Sequence, residues 1–163
     1  MSPPLGFEEQ QVINDARLTR RRRTITFADL VSGVANGASV DIPLGLVLAG
    51  LAGQQQPMHR LPAGALLVNA PVIKLDTQFT GGGVSAVGVT LGTAGSPTVV
   101  ATSFDVRGSA VGPYVDMTRG IWRIVPADSL IVARFTPDGG HNLSQLTAGS
   151  CTIDFVFVPK ASA

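Results

Sequence analysis

The sequence is poor in nearly everything that carries chemistry. It has 163 residues and one cysteine, Cys151, which excludes an intrachain disulfide and any zinc site built on several cysteines. Histidine occurs twice, at His59 and His141. No HExxH, EF-hand or P-loop spacing is present. "GGGVSAVG" (81–88) is rich in glycine, but no Lys-Ser/Thr pair follows it, so it reads as a hairpin or bulge. Lysine is limited to Lys74 and Lys160, and charged residues make up 14% of the chain against the roughly 25% usual in soluble domains. The apolar stretch singled out as a candidate span, "IPLGLVLAGLAG" (42–53), is broken by Pro43, Gly45 and Gly50. It falls short of the roughly 20 residues a membrane span needs. The first sixteen residues hold acids and no apolar segment, so no secretory leader is expected.

What remains is 45% hydrophobic residues with 19 Gly and 11 Pro. That is enough for one domain with a core. A surface so short of charge points to contacts with partners, because stable interfaces are depleted in charge at their centres. A homo-oligomer is the expected state.

Charge divides the chain. Residues 1–23 hold five arginines (Arg17, Arg20, Arg21, Arg22, Arg23) against Glu8, Glu9 and Asp15. The rest holds seven basic and eight acidic residues. The first segment starts with Pro3-Pro4 and offers few apolar anchors, with a short helix conceivable near 8–18. It reads as an N-terminal arm, 1–23, ahead of a domain over 24–163. The arginine run could neutralise phosphates, but the domain behind it is slightly acidic and has no second basic stripe. Arginine pairs bidentately with carboxylates, so an acidic protein surface is the favoured partner and nucleic acid is disfavoured.

From Thr24 onward the hydrophobic period is two, the signature of strands. "TITF" (24–27), "SVDIPLGLV" (39–47), "VSAVGVTL" (84–91), "TVVATSFDV" (98–106), "GIWRIVP" (120–126), "SLIVARFTP" (129–137) and "SCTIDFVFV" (150–158) all show it. "ALLVNAPVIKLDTQF" (65–79) contains Pro71, which cannot donate to a ladder and implies an edge, a bulge or two shorter strands. "LGLVLAGLAG" (44–53) reads as a short helix or a buried strand. The expected fold is all-β: an antiparallel β-sandwich, with a jelly roll as the topology and an extended N-terminal arm. If the last two strands pair, Arg134 and Asp154 can meet on their wetter face.

No catalytic, cofactor or metal residue is expected. Asp138, His141 and Ser144 resemble a hydrolytic triad in composition only, since all three sit in one Gly-rich loop. Trp122 lies in "GIWRIV" between Arg119 and Arg123. With Arg123 it is a candidate surface or subunit contact, and Trp122 and Tyr114 together could serve a carbohydrate- or receptor-binding face.

Four stretches carry a family resemblance. "TITFADL" (24–30), "LPAGALLVNAPVIKLDTQFTGG" (61–82) and "VSAVGVTLG" (84–92) resemble strands of small virion proteins of tailed bacteriophages. "LIVARFTPDGGHNLSQLTAGSCTIDFVFV" (130–158) is the most specific, with the loop pattern G-x-N-L-x-x-L-T-A-G between two strands. The resemblance covers roughly residues 24–158 and is to head decoration (cement) proteins, or closely related minor head or fibre proteins. It implies a non-enzymatic structural protein of the virion, assembled in the host cytoplasm. Such proteins form trimers on the shell, brace the major capsid protein and often extend a terminal arm across it. No binding residue is carried over from the family; the assignment of Arg17 and Arg20–Arg23 to capsid contact rests on charge.

Overall fold

The computed structural model describes residues 19–44, 60–61, 66–67, 70–116, 123–124 and 129–158. Eleven strands are found among them: β1 (Thr19–Thr26), β2 (Val40–Pro43), β3 (Arg60–Leu61), β4 (Leu66–Leu67), β5 (Val72–Thr80), β6 (Val87–Thr93), β7 (Ser96–Asp105), β8 (Gly112–Val115), β9 (Arg123–Ile124), β10 (Ser129–Pro137) and β11 (Ala148–Val158). Two 3-10 turns, Phe27–Leu30 and Leu143–Gln145, are the helical pieces among the described residues.

The eight longer strands pair as a chain doubled on itself. β1 pairs with β11, β2 with β10, β5 with β8, and β6 with β7, all antiparallel. Rolling such a doubled ribbon places alternate pairs in opposite sheets. Sheet I runs β1-β11-β5-β8 and sheet II runs β2-β10-β6-β7, which is the jelly-roll order. The short strands extend this frame, β3 on β10, β4 on β11 and β9 on β4.

Alternation explains which side chains meet. Ile25, Ile73, Leu75, Cys151 and Ile153 of sheet I face Val89, Leu91, Ala101, Ile131, Ala133 and Phe135 of sheet II in one core. Each large aliphatic or aromatic side chain buried this way contributes about 1.5–3 kcal/mol. Phe79 and Phe135 touch across the sheets with ring centroids 5.8 Å apart. Pro71 does split its segment: β4 and β5 lie on the same side of β11, with Leu67 opposite Phe157 and Val72 opposite Asp154.

Three sequence expectations are corrected. β10 and β11 do not pair but sit in different sheets, so Arg134 and Asp154 are not neighbours. The Gly81–Gly83 segment is a crossover from sheet I to sheet II rather than a hairpin. Thr19–Arg23, expected in the arm, belong to β1. The stretch 44–53 lies outside the described residues apart from buried Leu44, and so does the conceivable helix at 8–18.

The loop pattern G-x-N-L-x-x-L-T-A-G closes one end of the sandwich. Asn142 caps the turn Leu143–Gln145, and Gln145 Oε1 accepts from the Asn142 amide at 3.2 Å. Leu143 and Leu146 plug the core below. Gly149, the second residue of β11, has φ +137, and a Cβ there would lie 2.6 Å from Phe79 Cα. Gly149→Ala is therefore expected to cost about 2–4 kcal/mol. Urea unfolding checks this: the midpoint falls at unchanged slope, and an unaltered midpoint would contradict the packing described.

Candidate functional site

The arginine run is part of the sheet. Arg20, Arg21, Arg22 and Arg23 lie opposite Val156, Phe155, Asp154 and Ile153 of β11. Arg22 donates through Nε and Nη2 to Asp154 Oδ2 at 3.0 and 2.9 Å. Its side chain is 58% exposed, so the pair contributes about 0.2–1 kcal/mol. Alternation puts Arg23 on the same side as buried Ile25, and its Nη1 donates to the Pro43 carbonyl of β2 in the other sheet. Arg17 lies outside the described residues.

Each sheet supplies its own carboxylate to its own arginine. In sheet II, Arg134 forks onto Asp41 through Nε–Oδ1 at 2.6 Å and Nη2–Oδ2 at 2.7 Å, and reaches the Ala94 carbonyl at 3.0 Å. In sheet I a polar row crosses the outer face. Thr24 and Thr152 hydroxyls are 3.0 Å apart, Thr152 Oγ1 donates to Asp76 Oδ2 at 2.7 Å, and Lys74 pairs with Asp76 at 2.9 Å. Lys74 and then Thr152 hold the Asp76 carboxyl below its usual range. The partners Asp41 and Asp154 sit in strands at polar alternation positions, but which arginine each meets depends on strand order.

The aromatic candidates divide. Trp122 lies outside the described residues; Arg123 is in β9, opposite Leu67. Tyr114, in a strand that periodicity did not reveal, stacks on Phe104 of β7 with centroids 4.2 Å apart and planes 8° apart. The stack joins the β8 edge of sheet I to the β7 edge of sheet II. One face of the Tyr114 ring is thereby used inside the fold.

Asp138, His141 and Ser144 do not assemble as a triad. His141 Nδ1 is 2.7 Å from Asp138 Oδ1, but the Ser144 hydroxyl donates to Asn142 Oδ1 at 2.6 Å. Asp138 acts instead as a knot between loops. Its Oδ2 accepts from the Ser85 amide at 2.8 Å and from the Ser85 hydroxyl, and its own amide donates to the Ala86 carbonyl. The His141 carbonyl accepts from Gly37 of the β1–β2 connection. His59 lies outside the described residues. Among the described residues no group of three His, Cys, Asp or Glu could hold a metal ion. Burial, and then the charge of Asp76, push the Cys151 thiol up to about 12, which leaves it a poor nucleophile.

No family profile matches this chain, and no curated protein does. A solved structure does: a chain of the cyanophage Pam1 capsid asymmetric unit, with TM-score 0.56 and 12% sequence identity, over 98% of this chain and 92% of that one. At this identity the likeness is one of fold.

The Ser85 hydroxyl and amide, and then His141, hold Asp138 down from 3.8 to about 2. A carboxyl lowered on folding stabilises above its unfolded value and loses that contribution as the pH falls through the folded one. Asp138→Asn should lower the melting temperature at neutral pH. The gap to the parent should close as the pH drops from 3.8 towards about 2. Thermal melts at stepped pH measure it, and a gap of constant size would exclude the charge of Asp138 as the cause.

Proposed function

We propose that this chain is a structural protein of a bacteriophage particle that decorates the capsid surface as a homo-oligomer, in the form of a trimer. The observation that carries the reading is the jelly-roll match over nearly its whole length to a chain of a cyanophage capsid. High coverage of both chains means that the neighbour is of similar size, so the likeness is not to one domain of a much longer shell protein. The sequence resemblance to phage decoration proteins points the same way. The competing receptor- or carbohydrate-binding reading called on Trp122 and Tyr114, and the Tyr114 ring is already stacked on Phe104.

Within this reading the arginines divide their work. Arg22 and Arg23 tie β1 to Asp154 and Pro43. Arg17, Arg20 and Arg21 are assigned to acidic groups on the major capsid protein, and Trp122 and Arg123 remain the candidate subunit contact. An arm truncation should stop at Leu18, because removal of Thr19–Arg23 strips β1 of most of its partners on β11.

Quantitative mass spectrometry of purified phage particles tests the reading. The chain is expected in numbers comparable to the shell protein. A few copies per particle would assign it to a vertex or tail, and its absence would remove the proposal. On purified shells, Arg20→Glu with Arg21→Glu should weaken binding about tenfold or more, and added salt should weaken the parent.

A further inference from the structure

Four of the eight main strands, β1, β2, β7 and β8, lie at sheet edges among the described residues, and they differ. β8 has four residues including Pro113, and β2 has four ending in Pro43. β7 carries Pro97 near its start, and its register with β6 shifts twice. Proline, bulges, short length and charged side chains are the usual ways of blunting an edge. β1 has only the last, its arginines: eight residues, no proline, and an unbroken register with β11. Among the described residues its only strand partner is β11. In an antiparallel pair every second residue turns its N–H and C=O away from the partner, so half of β1 presents backbone groups on its outer side.

Charge says what that edge will accept. Four consecutive arginines in β1 face one carboxylate in register on β11, that of Asp154; Arg20 and Arg21 stand opposite Val156 and Phe155. A second copy laying its own β1 alongside would bring arginine run against arginine run, which is unfavourable for directly opposed like charges. A strand with carboxylates at alternate positions would place them beside the arginines on one face while its backbone completes the ladder. We infer that the outer edge of β1 is a docking site for an extended acidic segment of another chain, taken up as an added strand of sheet I. Naming that chain as the shell protein rests on the capsid reading; the edge chemistry does not.

The test uses the full chain and two extended peptides, one alternating Glu with Val and one alternating Lys with Val. Amide hydrogen exchange is followed across β1. The Glu peptide, at up to about 1 mM, should slow exchange at alternate β1 amides by about tenfold or more, and the Lys peptide should not. In the Arg20→Glu, Arg21→Glu chain each face of β1 keeps one arginine beside one glutamate, so the preference for the Glu peptide should be lost. Unchanged β1 exchange with the Glu peptide overturns the inference, as does equal protection by both peptides. If the double variant is unfolded, the parent chain with the two peptides still decides. No shell enters the assay, so its failure leaves the capsid reading to be judged on particles.

Discussion

The pairing of β11 with β1 on one side and β5 on the other holds the fold together. It joins residues 19–26 to residues 150–157, nearly the full described length of the chain. It also seats Cys151 and Ile153 at the centre of the core. Loop closure over that distance costs entropy before any contact rewards it. A doubled ribbon meets this cost gradually, because β6–β7 closes through a tight turn at Ala94–Gly95 and each outer pair closes on the one inside it. Folding from the β6–β7 hairpin outwards is the order this topology favours, and it makes β1–β11 the last and most non-local step.

Two different chemistries seal the open sides of the sandwich. At the β1/β2 side, Arg23 crosses from sheet I to a main-chain carbonyl of sheet II. At the β8/β7 side, the Tyr114–Phe104 stack does the same with apolar surface. The looped end is closed by hydrogen bonds instead, with Asp138 binding Ser85, Gly37 binding His141 and Ser144 binding Gly33. These ties leave a frame on which a charged edge strand can be held at a defined register. That definition is what an interaction surface needs if it is to select a partner by charge spacing.

Most strands were legible because burial imposes a period of two and because turns carry Gly, Pro and Asp. The pattern at 129–137 has the limits of β10, and the alternation of Ile131, Ala133 and Phe135 predicts the buried face. The strand β8 is not legible: "GPYV" is short, holds a proline and shows too few alternations to register. The start of β1 inside the arginine run is hidden for a related reason. Charge marks a compositional border at Arg23, but backbone pairing ignores composition, and β1 continues back to Thr19 because β11 offers it partners that far.

By itself the sequence determined the class of fold, a β-sandwich without an intrachain disulfide, since alternation, turn residues and one cysteine are local properties of the chain. It also determined that arginine would be concentrated at one place. Only the tertiary structure decided which aspartate each arginine meets, Asp154 for Arg22 and Asp41 for Arg134. The same holds for Ser144, turned towards Asn142 and away from His141. These pairings depend on strand order and loop register, set by how two sheets pack their apolar faces together, and no spacing along the chain encodes them.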